Sequence, residues 1–257
     1  LFVLVRRNVK RVRLIAGAVA FASAMCLSAA ANAGTILAMK VSDLAPDAAS
    51  VDGYIDVWQD WINAGGHNEG AAGSTALTNN GIDYKNSFVD TNRGDVLSVR
   101  VSYYFEGSEV AFALFSPGTS KSNFFAPGNV ISSSWTNLGG GGFNVFSIAG
   151  DSGINRHWFA NRSYGGCPSD FGHMAVLDRA ASYPCTWENS RLASVGDPTR
   201  AFLYSTAPDS SDWDINTGIA DAFAVHVTTE METPEPATLG LLAVGAVGLA
   251  AAARRRA

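Results

Sequence analysis

From 96 to 105 the chain alternates with period two. Leu97, Val99, Val101, Tyr103 and Phe105 fall on one side, and Ser98, Arg100, Ser102 and Tyr104 on the other. Successive strand side chains point to opposite faces, so this alternation predicts a half-buried strand. After Glu106-Gly107-Ser108 a second apolar run, 110–115, follows, and the two read as a hairpin. Further strands are predicted at 36–41, 143–148, 174–177, 201–204 and 223–227, with turns such as Ser116-Pro117-Gly118, Ala126-Pro127-Gly128 and Gly196-Asp197-Pro198 between them. Many short strands joined by Gly, Asn and Ser predict an all-β fold, an antiparallel β-sandwich or jelly-roll-like single domain. One segment has another period. Val51, Tyr54, Ile55, Trp58, Trp61 and Ile62 follow helical spacing and predict a short amphipathic helix.

The two ends have patterns of their own. Basic residues cluster at 6–13, an apolar stretch follows at 14–27, and small residues lead to Ala31-Asn32-Ala33. That order is a secretory signal with an A-x-A cleavage site, whose processing partner is signal peptidase. The apolar stretch is short for a membrane span, which needs about 20 residues. Met25 before Cys26 is too large for a lipoprotein site, and Lys10 spoils a twin-arginine match. The apolar segment 1–5 ahead of the basic cluster is expected from an upstream or alternative start codon. At the other end, Thr233-Pro234-Glu235-Pro236 precedes an uninterrupted run of small and apolar residues, and Arg254, Arg255 and Arg256 close it. At about 1.5 Å per residue, 237–253 extends roughly 25 Å, a short but feasible crossing. The arginines mark the cytoplasmic end, which puts the intervening domain on the far side. The expected organisation is a signal peptide at 1–33, an extracytoplasmic sandwich at 34–232 and a tail with one transmembrane helix at 233–257.

This tail resembles the PEP-CTERM sorting signal, which combines Pro-Glu-Pro, an apolar helix and a terminal arginine cluster. The resemblance implies recognition by an exosortase, which would cut near Pro234-Glu235-Pro236 after the helix has held the protein in the inner membrane. It also implies a Gram-negative host, release to the cell surface or extracellular matrix, and company with exopolysaccharide. Within the body, Tyr164-Gly165-Gly166-Cys167-Pro168-Ser169-Asp170-Phe171-Gly172 and Pro184-Cys185-Thr186-Trp187-Glu188 are similar to a pattern recurring in such proteins, and 220–225 is similar to their closing strand.

Charge changes the picture of partners. The whole chain carries −5, but the span 34–233 holds 10 basic residues against 22 acidic ones, a net of −12. An acidic body repels nucleic acid, so none is expected as a partner. Of three cysteines, Cys26 leaves with the signal. Cys167 and Cys185 then face an oxidising compartment and are expected to form one disulfide across a loop of about 19 residues.

Catalytic chemistry has no local signature. The chain holds no G-x-S-x-G elbow, H-E-x-x-H helix or P-loop. His226 alternates with Phe223, Val225 and Val227 and is expected on an exposed sheet face, while His157 and His173 are expected to border strands. His67, Asn68 and Glu69 form a weak metal trio in a Gly-rich loop. Asp212, Asp214 and Asn216 place oxygens at alternate positions as calcium loops do, although Thr217 stands where such a loop needs glycine and an Asx-rich turn explains the same residues. Trp135, Trp187 and Trp213 fall in expected loops, where aromatic faces suit sugar stacking, although core or loop anchoring is the default reading. The expectation is therefore a non-enzymatic envelope or matrix protein with no catalytic residues and no cofactor other than a possible calcium. The alternatives are a carbohydrate-binding module and, behind it, a secreted glycoside hydrolase with two carboxylates.

Overall fold

A computed structural model describes residues 33–43, 57–91, 95–138, 145–147, 157–163, 167, 170–178, 185–194 and 200–230. These fall in one compact unit, Gly34–Thr229, apart from its flanking residues Ala33 and Glu230. Ala33 opens the first strand and is exposed. Ala31, the sorting tail with Pro234, Glu235, Pro236, Arg254, Arg255 and Arg256, and the two expected terminal helices lie outside the described residues. Among the described residues no helix is long and apolar enough to cross a membrane.

The period-two patterns build two antiparallel sheets. The first contains β1 (Ala33–Ser42), β2 (Tyr84–Lys85), β3 (Val96–Phe105), β4 (Ser108–Phe115), β5 (Val130–Ser133) and β12 (Ala222–Glu230), in the order β2-β1-β12-β3-β4-β5. The second contains β6 (Val145–Ser147), β7 (His157–Ser163), β8 (Phe171–Leu177), β9 (Ala201–Ser205) and β11 (Thr217–Ala220), in the order β11-β9-β8-β7-β6, while β10 (Ser211–Asp212) pairs with β8. Consecutive strands stay within one sheet, β3 to β5 in the first and β6 to β11 in the second. Within these runs most sequence neighbours are also sheet neighbours, while the last strand, β12, inserts between β1 and β3. The expected β3–β4 hairpin is present and tighter than predicted. Glu106 and Gly107 both take left-handed backbone angles (φ 50° and 78°), so a two-residue turn joins Phe105 to Ser108.

The core lies between the sheets. Val99, Val101 and Tyr103 of β3 and Phe223, Val225 and Val227 of β12 point inward at alternate positions. They meet Trp158, Met174, Val176 and Phe202 from the second sheet. The Trp158 and Phe223 rings meet edge to face with centroids 4.8 Å apart.

Three α-helices, α1 (Val57–Ile62), α2 (Phe88–Thr91) and α3 (Thr186–Ser194), and a 3-10 turn at Pro127–Asn129 complete the described structure. The helical spacing seen in the sequence resolves into α1, whose Val57 and Trp61 enter the core, and residues 51–56 lie outside the described set. Helix α3 had no counterpart in the sequence prediction. A second apolar cluster joins Trp187 on that helix to Phe159, Ala175, Leu177, Leu203 and Trp213. Its sheet residues alternate with those of the main core, so it covers the opposite face of the second sheet.

Candidate functional site

Chemically rich residues converge where β1, β2, α1 and the segment 63–83 meet at the edge of the first sheet. Helix α1 has six residues, too few to be stable alone, so outside groups must satisfy its ends. The backbone N–H of Val57 donates to the buried Asp178 carboxylate at 2.9 Å, a negative charge at the positive end of the helix. At the other end the Lys85 ammonium donates to the carbonyls of Asp60 and Asn63. Lys121 donates to the Asn63 carbonyl at 3.2 Å and to the Asp90 carboxylate. Two lysines thus take up carbonyls at the helix C-terminus, where cations are favoured. Trp61 locks the arrangement by donating its indole N–H to the Lys121 carbonyl at 3.0 Å.

A second set of charges sits beside the first. Arg200 Nη1 donates to Asp83 Oδ2 at 2.9 Å and to the Ser42 carbonyl at 3.0 Å. Asp83 Oδ1 accepts the backbone N–H of Ser42 at 2.9 Å. Lys40, on the same strand, donates to Asn80 Oδ1 at 2.7 Å. Lys40, Lys85, Arg200 and Asp83 are all buried. Burial pushes the ammonium pKa of Lys40 and Lys85 down, and the carboxylates of Asp83 and Asp60 respectively pull them part of the way back. Burial likewise raises Asp60 above the usual carboxylate range, against the attraction of His67 and Lys85. His67 Nδ1 lies 3.5 Å from Asp60 Oδ1, and the His67 backbone exchanges hydrogen bonds with Lys85 at 3.0 and 3.1 Å, sealing the β2 edge. The named charges of this cluster face partners contributed by other segments of the chain and tie those segments together.

The residues singled out in the sequence are distributed elsewhere. Cys167 and Cys185 form a disulfide with Cα atoms 4.9 Å apart, as expected. The tryptophans weighed between sugar stacking and anchoring are interior, with exposures of 4, 2 and 0% for Trp135, Trp187 and Trp213. Trp135 donates to the Ser205 carbonyl at 3.0 Å and Trp187 to Asp170 at 3.3 Å. The Trp187 and Trp213 rings stack on each other, centroids 5.5 Å apart. Each is the anchor of a turn or helix, and none presents a ring to solvent.

Asp212, Asp214 and Asn216 make an Asx turn. Asp212 Oδ1 accepts the Asp214 N–H at 2.8 Å, Asn216 takes a left-handed φ of 53°, and its carbonyl accepts the N–H and hydroxyl of Thr206. The trio of His67, Asn68 and Glu69 diverges. His67 faces Asp60, Asn68 donates to the Asp83 carbonyl, and Glu69 accepts the Ser87 N–H. Among the described residues, no three His, Cys, Asp or Glu side chains are grouped to hold a metal ion.

The histidines need correction in part. His157 opens β7, at the strand border as expected, whereas His173 lies inside β8 and is fully buried, with Nε2 2.6 Å from Asn137 Oδ1. His226 is on the expected face but is half-buried, because Tyr104, Ala222 and Ala224 are interior there, with Leu37 and Leu77 packed against them. Burial lowers its pKa.

Lys40, Asp60, Asp83, Lys85 and Arg200 carried no motif. The one available signal was Lys40 itself, a lone cation between Met39 and Val41 in an apolar strand. A charge enclosed on both sides must find a partner.

The PEP-CTERM protein-sorting motif matches residues 232–256. No curated protein and no solved structure matches the chain.

Proposed function

We propose that this PEP-CTERM sorting domain-containing protein is a non-enzymatic envelope or matrix protein that associates with exopolysaccharide at the surface of a Gram-negative cell. The motif at 232–256 carries the reading. It marks an exported protein that is anchored in a membrane, cleaved, and handled by an exosortase as processing partner. The body adds two supports. Its net charge of −12 over 34–233 disfavours nucleic acid and other anionic surfaces and is compatible with neutral or cationic polymers. Its buried ionisable groups are spent on fastening α1 and the 63–83 segment to the sheet, an investment in rigidity.

Processing is tested in the native host. Glu235→Ala, or deletion of Arg254 to Arg256, leaves uncleaved protein in the inner membrane, and normal processing of both variants overturns the sorting step. Association is tested by sedimentation. The released protein travels with the host's exopolysaccharide and is shed into the medium by a strain that makes none. Equal retention by both strains overturns the association and leaves the sorting untouched.

A further inference from the structure

We propose that Lys40 and Asn80 join in an intramolecular isopeptide bond that forms without an enzyme. The two residues lie 40 positions apart in sequence, yet Lys40 Nζ is 2.7 Å from Asn80 Oδ1. The amide carbon is one bond further on, so the amine stands about 3–4 Å from it, close to the separation of a reactive encounter.

Four features prepare this pair. Lys40 is fully buried on β1, and burial favours the neutral amine, the form that has a lone pair to donate. The Ile82 backbone N–H also donates to Asn80 Oδ1, at 3.2 Å, where negative charge develops as the amine adds. Asn80 Nδ2, the leaving nitrogen, is held separately by the Gly73 carbonyl at 2.6 Å, which fixes the amide with its Oδ1 edge toward the amine. Ser42 clamps the loop on both sides of Asn80. Its hydroxyl donates to Asn79 Oδ1 at 2.9 Å and accepts the Gly81 N–H at 3.3 Å. That last contact occupies the Gly81 nitrogen, the nucleophile through which an Asn-Gly pair would otherwise cyclise.

The step balances within the chain. The Nζ lone pair forms the Nζ–Cγ bond, the Cγ–Nδ2 bond breaks, and one Nζ proton passes to Nδ2, so ammonia leaves. No oxidant, reductant or cofactor is consumed. Asp83, held by the Ser42 N–H and Arg200, is a positioning residue that fixes the strand and loop against each other. The product would tie β1 covalently to the loop that seals the β2 edge, a permanent staple complementing the disulfide on the other sheet.

Peptide mapping of the mature protein, with its intact mass, tests the bond. The expected result is one branched peptide carrying Lys40 linked to Asn80, resistant to trypsin at Lys40, in a protein lighter by one ammonia than its sequence. Lys40→Met and Asn80→Ala each restore the linear peptides and the full mass. Separate unmodified peptides from the wild-type protein overturn the proposal. So does an ammonia loss located at Asn80-Gly81 as a cyclic imide that persists in Lys40→Met. The wild-type map alone decides if either variant fails to fold.

Discussion

The outer face of the second sheet and the edge of the first are both closed by a short helix and a loop, but with opposite materials. Over the second sheet, Trp187 and Trp213 stack on each other and pack at a tilt against Phe159, and the Cys167–Cys185 disulfide fastens the start of α3. At the edge of the first sheet, Lys85, Lys121, Asp60, Asp83 and Arg200 do the same task with charges. In an apolar closure each truncation loses its own buried area and leaves its own cavity, so a second truncation adds to the first. Charged closure depends on its partners, because one missing counter-charge leaves the other desolvated and unpaired.

That contrast predicts how each region breaks. The largest effect of a single charge change is expected from Arg200→Met, which removes the ion-pair partner of buried Asp83 and should cost about 3–5 kcal/mol in urea unfolding. Adding Asp83→Leu should recover a substantial part of that loss, whereas Trp187→Ala added to Trp213→Ala should recover none. If the charged double variant is as unstable as the sum of its singles, the two closures do not differ in kind. Next in size is the disulfide. Replacing Cys167 and Cys185 by serine should cost about 3 kcal/mol for a closed loop of this length, read as a lowered unfolding midpoint.

A half-exposed ion pair sets the lower end of the scale. Arg100 pairs with Glu109 on the solvent side of the first sheet, its guanidinium 3.6 Å from the centre of the Phe112 ring. Arg100→Ala should cost at most about 1 kcal/mol, and the electrostatic part should fade with added salt.

Acid titration sharpens the comparison last, with the smallest expected effects. Hydrogen bonds from Arg100 and Ser102 outweigh burial and lower Glu109, so its stabilisation is present above the unfolded glutamate pKa and is lost as pH falls through the lower folded value. His226 is lowered by burial. The unfolded chain binds its proton more readily, and stability falls further as pH drops below about 6.5. Asp60 is raised, so the folded state takes up its proton first and gains stability as pH falls through that raised value. Asp60→Asn should abolish this gain, and stability curves that coincide for wild type and variant between neutral and acid pH would contradict it.

How far the sequence revealed these regions follows from the same physics. Strands with a long inward-facing alternation, such as β3 and β12, were legible because one face is buried along their length. Tyr84–Lys85, Val130–Ser133 and Thr217–Ala220 were not, since short strands owe their form to the strand beside them. Helix α3 left one overlooked trace. The Glu188 carboxylate accepts the Cys185 N–H at 3.1 Å, half of a capping box. Tryptophans in loop-like sequence were ambiguous because a ring that stacks a sugar and a ring that anchors a turn look alike until burial is known. The charged closure was the least legible part. Lys85, Asp83 and Arg200 read as surface residues one at a time, and only the fold brings them together. The sorting tail was legible without any fold, because a membrane enzyme reads it as linear sequence.

The measurement that tests the central claim most directly is the intact mass of the protein recovered from each cell fraction of its native host. A mass that begins at Gly34 and ends near Pro234-Glu235-Pro236, in the outer envelope or the medium, is the predicted result. A mass retaining Arg254, Arg255 and Arg256, confined to the inner membrane, would contradict it.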